Sequence, residues 1–225
     1  MPENPIIQGR KVIFCETLQS YPLSRLFVEC SDCHRYFAAC CPHDSFGDDW
    51  ALPHAVQPTC HHAQIVFIDG ACTNNGSNTL QAKAGLGITI GDSDEVVQSW
   101  SIPVDNNIDT VRPLEDMWQA YKASGGRTDE HAQLARRHQQ IDRATYIVVT
   151  DSEYVVKGIT EWYPSWRERG WRTSEGKRPK NFDLFVNLDA YVTKLESDRV
   201  AVGFWLVPRV FNRKADALAK SAANL

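Results

Sequence analysis

Three aspartates in this chain stand where an α/β protein can gather carboxylates. Asp69 follows the apolar run Ile65, Val66, Phe67 and Ile68 and precedes the small and polar residues up to Gly76. Such a run predicts a buried β-strand that delivers Asp69 to its end. A carboxylate there is costly unless something compensates it, and a divalent cation is one compensator. Asp151 closes a second run of this kind, Tyr146 to Val149 with Thr150. Ser152 then opens a helical pattern with Tyr154, Val155, Gly158 and Ile159 on its inner face. Asp216 lies near the start of a third segment, where Ala215, Leu218, Ala219 and Ala222 recur at helical spacing. Acids at strand ends are common. Three in this order, on strand, strand and helix, make a candidate two-metal site for phosphodiester hydrolysis.

These residues need a scaffold to position them. From residue 63 the pattern predicts the Asp69 strand, a Gly/Asn turn, and strands over 84–91 and 95–103. A long segment over 104–126 follows, with a helical stretch at 114–123. Then come a helix around Gln133, the Asp151 strand, two further helices, a strand over 200–208 and the final helix. Early strands followed by helix–strand alternation fit an α/β fold with a mixed sheet. Residues 1–62 differ in character and are expected to form a separate N-terminal segment. They hold six of the seven cysteines, Cys15, Cys30, Cys33, Cys40, Cys41 and Cys60, and five histidines. Cys30 and Cys33, with two of Cys40, Cys41, His43, Cys60 or His61, have spacing suited to a structural zinc. The same stretch alternates like a β-hairpin around Ser31-Asp32, where buried free cysteines are common.

Four pieces of the chain carry a family resemblance: IDGAC, TDSEYVVKGITEW, the Trp-rich block SWRERGWRTSEGKRPKNFDLF, and FNRKADALA. From about residue 63 to 225 the sequence resembles the type 1 ribonuclease H family, and its fungal members most of all. The resemblance implies a ribonuclease H-like fold, a five-stranded mixed sheet flanked by helices. It also implies endonucleolytic cleavage of the RNA strand of RNA–DNA hybrids. Four acidic residues of the family hold two magnesium ions, a role manganese can also fill. Asp69, Asp151 and Asp216 match the first, third and fourth acids. Asn75 matches a position that contacts the RNA strand, where a 2′-hydroxyl distinguishes RNA from DNA. Cys72 would approach the substrate through its backbone, or else its thiol packs inside. Ser152, beside Asp151, falls in the matching TDSEY piece. Trp166, Arg169, Trp171 and Lys180 fall in the block that matches the family's basic, substrate-binding protrusion.

Two departures bear on activity. The family's second acid, a Glu within a helix, is replaced here by Gln133 in the run 128–134. Magnesium prefers charged oxygens, so an amide in this place should weaken ion binding. Glu130, one helical turn earlier, could substitute, as could Glu115 further away. Glu130 also suits a solvated helix start, where acids favour the dipole. In the last loop, where many members carry a histidine, Arg209 stands instead. It can contact a phosphate but cannot shuttle a proton near neutral pH.

Composition sets the remaining bounds. The 225 residues are 43% hydrophobic and 23% charged, as expected for a soluble globular protein. No apolar run approaches membrane-spanning length, and the N-terminus lacks the pattern of a signal peptide. A monomeric, intracellular protein, cytoplasmic or nuclear, without disulfides is expected. The net charge of −4 does not advertise nucleic-acid binding. Between residues 166 and 180, however, six basic residues meet only Glu168 and Glu175, with Trp166 and Trp171 interleaved and Trp162 just before them. That combination suits a sugar–phosphate backbone, or a solvated helix whose tryptophans face the core. Three functional readings follow. An enzyme would cleave hybrids with magnesium, a binding module would hold them uncut, and a docking platform would do neither.

Overall fold

The computed structural model describes residues 6–30, 33–39, 63–74, 82–91, 99–104 and 144–225. Strands β1 (Ile6–Gln8) and β2 (Lys11–Ile13) are followed by a one-turn helix α1 (Glu16–Gln19). Next come β3 (Phe27–Glu29), β4 (Tyr36–Ala38), the long β5 (Ala63–Thr73), β6 (Lys83–Thr89) and β7 (Ser99–Val104). The chain continues through β8 (Ala144–Thr150), α2 (Glu153–Lys157), a π-helical turn (Gly158–Trp162) and α3 (Tyr163–Glu168). It closes with α4 (Phe182–Ser197), β9 (Val200–Leu206) and α5 (Arg213–Ala223). The helices expected at 114–123 and around Gln133 lie outside the described residues.

The sheet is mixed. β5, β8 and β9 run parallel, while β6 and β7 complete an antiparallel meander from β5. These are the five strands that the family resemblance implies. Among the described residues, β1 to β4 widen the sheet to nine strands. β2 adds in parallel beside β9, and the β3–β4 hairpin joins antiparallel at the start of β5. The site depends on how β5 is shared. Residues 63–67 pair with β8, and residues 67–73 pair with β6. Asp69 therefore lies inside a strand rather than at its end, because β6 continues the hydrogen bonding past the point where β8 departs.

Side chains alternate across the sheet with the period of two that strands impose. Ala63, Ile65, Phe67, Ile147 and Val149 face one layer, filled by Val12, Phe14, Leu18, Leu26 and Ala38 of the N-terminal segment. Phe27 is central there, with ring centroids 4.7 Å from Trp205, 5.5 Å from Phe211 and 5.6 Å from Phe67. On the opposite face Val200, Val202 and Phe204 meet Val156, Ile159, Tyr163, Trp166, Phe185 and Val192. Val156, rather than Tyr154 or Val155, is the inward residue of α2: Tyr154 is 39% exposed. The π-turn that follows inserts an extra residue per turn and carries the buried stripe on to Tyr163 and Trp166.

Gly9 and Arg10 join β1 to β2 as a two-residue hairpin, both with positive φ, the geometry of the turn that matches strand twist. The turn aims Arg10 at α4. Its guanidinium bonds Asp189 at 2.6 Å, Glu196 at 3.0 Å and Thr193 at 2.9 Å. With Arg10 mostly buried, Arg10→Ala should cost about 2 kcal/mol, between the values for exposed and buried pairs. Chemical denaturation would show the loss, since both residues bear the same left-handed backbone cost.

Candidate active site

Asp69 is half-buried on β5, its carboxylate accepting from the Gly70 amide at 2.9 Å. Asp151 follows directly on β8. Ser152, next in the chain, is the N-cap of α2 and accepts from the Val155 amide. Asp216 lies in the first turn of α5. The elements converge because α5 lies flat on β6. A Cβ on Gly87 would overlap the Ala215 carbonyl and stand 2.5 Å from the Ala219 nitrogen, so only glycine lets the helix approach. Gly87 is also the register partner of Asp69, which places Asp216 beside it.

The electrostatics record that proximity. Burial first, then the charges of Asp151 and Asp216, hold the Asp69 carboxyl above the usual carboxylate range. Asp216 is held below it, chiefly by Lys220 and also by Arg209. Lys220 reaches Asp216 Oδ2 at 2.6 Å across one helical turn. The Arg209 guanidinium pairs with Asp216 Oδ1, and its Nε lies 4.0 Å from Asp151 Oδ2. Asn212 completes the set. It is 1% exposed, precedes α5, and donates from Nδ2 to Asp151 Oδ1 and to the Ile68 carbonyl, both at 2.9 Å. Its amide thus braces the site instead of capping the helix.

Asp69 carries a testable sign. A carboxyl raised in the fold favours the protonated chain. The stability it adds is present below the usual carboxylate range and lost as pH rises through the raised value. In buffer free of divalent cations, Asp69→Asn should therefore raise the melting temperature at neutral pH, since the amide keeps the Gly70 bond without the charge.

Trp166 is 8% exposed and packs edge-on against Phe185 at 5.5 Å, so it is a core residue and not a surface for substrate. Trp171 is 40% exposed and leans on Phe182, while Arg169 and Lys180 are exposed. Cys72 is exposed too, which excludes the packed-thiol alternative: β5 is buried on both faces over residues 63–67, but beyond Asp69 its even residues, Gly70 and Cys72, face outward. Asn75, Glu115, Glu130 and Gln133 lie outside the described residues. So do Cys40, Cys41, Cys60, His43 and His61, and with them most of the ligands a zinc would need. Cys30 is buried, and its amide donates to the Arg35 carbonyl at 3.0 Å in the β3–β4 turn. Sequence reasoning missed Lys220 and Asn212. The i,i+4 spacing from Asp216 could have flagged Lys220. Nothing in the sequence separates Asn212 from an ordinary helix cap.

The family model described as RNase H matches residues 61–224. The chain belongs to the RNase H family. The ribonuclease H of Cyanothece sp. (strain PCC 7425 / ATCC 29141) is 43% identical over 77 residues, 34% of this chain and 48% of that protein. Ribonuclease H1 of Rattus norvegicus is 27% identical over 169 residues, 71% of this chain and 50% of that protein. This RNase H-family chain thus spans about half the length of those two relatives. Among solved structures, the solution structure of the PFV RNase H domain aligns at a TM-score of 0.43 and 18% identity, covering 72% of this chain and 94% of that one.

The donor chemistry fits the divalent metals that the family uses. Asp69, Asp151 and Asp216 offer only hard oxygens, with no thiolate or imidazole among them. Among the described residues, no three acidic, His or Cys side chains are gathered as tightly as a bound ion would hold them. Arg209 and Lys220 supply the positive charge instead.

Proposed function

We propose that this chain hydrolyses the RNA strand of RNA–DNA hybrids at Asp69, Asp151 and Asp216, using divalent cations, magnesium or manganese. The observation that supports this most is the convergence of these three carboxylates from β5, the end of β8 and α5 in a chain of the RNase H family. Cations held there would supply charge stabilisation for in-line attack of water on a phosphodiester. The chain's own residues do the positioning. Asn212 fixes the rotamer of Asp151 from the buried side. Gly70 orients Asp69 through its amide. Arg209, paired with Asp216 but with its side chain 65% exposed, would turn towards a phosphate when that pair opens. Asn75 and the Cys72 backbone would line the RNA strand. Arg169, Trp171 and Lys180 would meet the sugar–phosphate backbone beside them.

Gln133 favours a second reading, a module that binds hybrids without cutting them. A cleavage assay across a magnesium titration separates the cases. If Gln133 fills the second-acid position, wild-type cleavage is weak and Gln133→Glu raises it by about 10²-fold, the scale of one electrostatic group at a reacting centre. If Glu130 has taken the role, wild type cleaves well, Glu130→Gln abolishes cleavage, and Gln133→Glu does little. Activity that survives Glu130→Gln, Glu115→Gln and Gln133→Ala would mean that three aspartates suffice.

A further inference from the structure

We propose that Arg209, with Lys220 beside it, is a displaceable internal counter-ion of the aspartate cluster, which divalent cations must expel in order to bind. This rests on the cation site proposed above. The four oxygens of Asp151 and Asp216 are each assigned to a partner. Asp151 Oδ1 accepts from buried Asn212 at 2.9 Å, and Asp151 Oδ2 faces Arg209 Nε at 4.0 Å. Asp216 Oδ1 takes the Arg209 guanidinium, and Asp216 Oδ2 takes Lys220 at 2.6 Å. An ion that uses Asp216 therefore competes with one of the two basic groups for the same oxygens. An ion that bridges Asp216 and Asp151 must occupy the position Arg209 now holds. A guanidinium and a divalent cation cannot share it, because two like charges a few ångströms apart repel.

The side chains differ in how readily they leave. Asp151 and Asp216 are 17% and 16% exposed, so a positive neighbour stabilises the charged form of each. Arg209 is 65% exposed and rides on the short turn Arg209–Phe211 after Pro208, with its head at the cluster's solvent side. Asn212 stands on the opposite, buried side and stays in place during the exchange. The expected consequences are a metal-free fold stabilised by Arg209 and a higher cation concentration needed to load the site. Once displaced, Arg209 points outward, where an entering phosphate would be its next partner.

The test uses the full chain and magnesium alone. Melting temperature across a magnesium titration, and calorimetric titration of magnesium, are compared for wild type, Arg209→Ala, Lys220→Ala and Arg213→Ala. Arg213 is exposed and four residues away, so its variant controls for net charge. Arg209→Ala should lower the magnesium midpoint roughly three- to fivefold, the scale of a solvent-exposed ion pair. It should also melt lower than wild type without magnesium and match it at saturation. Lys220→Ala should shift the midpoint in the same direction and Arg213→Ala should not. Magnesium-dependent stabilisation with an unchanged midpoint in Arg209→Ala, or a melting deficit that persists at saturation, would overturn this inference alone. Absence of any magnesium effect in all four proteins would overturn it together with the cation site.

Discussion

Asp151→Asn should lower cleavage of an RNA–DNA hybrid by about 10²–10³-fold, the loss expected when one preorganised charge is removed from a reacting centre. The substitution is close to a pure charge change. Asparagine keeps the shape, and its Oδ1 can still accept from Asn212, which is fixed by its second bond to the Ile68 carbonyl. The fold should therefore stand, and hybrid binding by gel shift should remain. Cleavage that persists near wild-type rates would remove Asp151 from the site.

Gly87→Ala should destabilise the chain by about 3 kcal/mol, the upper part of the range for overpacking a well-filled core, because the new methyl group meets backbone rather than a mobile side chain. Its Cβ would overlap the Ala215 carbonyl and stand 2.5 Å from the Ala219 nitrogen. Relief requires α5 to lift from β6. Asp216 would then move away from Asp69, which pairs in register with Gly87. Denaturant unfolding should show the stability loss, and cleavage should fall well beyond the fraction unfolded. Gly170→Ala makes a fair control for glycine replacement as such: its Cβ meets nothing within 4 Å, and its cost is the positive φ alone.

What could be read in the sequence was what local pattern controls. Apolar runs ending in an acid located Asp69 and Asp151, and alanines at helical spacing located the face of α5, where Ala215, Ala219 and Ala222 are buried. Long-range pairing was not readable in this way. The β3–β4 hairpin was legible in its alternation, but the three-residue strands β1 and β2 are too short to show a period, and the pairing of these four strands with the rest of the sheet could not be foreseen. Asp69 was expected at a strand end because the polar residues after it look like a turn. Pairing with β6 overrides that local signal. Trp166 lies among basic residues in sequence yet faces Phe185, since the π-turn resets the helix's inward stripe. The partners of the carboxylates divide in the same way. Lys220 follows from spacing within one helix, whereas Asn212 reaches Asp151 only because α5 starts beside the end of β8.

The most direct test is hydrolysis of an end-labelled RNA strand annealed to DNA by the purified chain, with and without magnesium, alongside Asp151→Asn. The proposed site predicts internal cuts in the RNA strand only when magnesium is present, with the DNA strand intact and the cuts lost in Asp151→Asn. A hybrid that is bound yet remains uncut at every magnesium concentration, by wild type and Gln133→Glu alike, would contradict it.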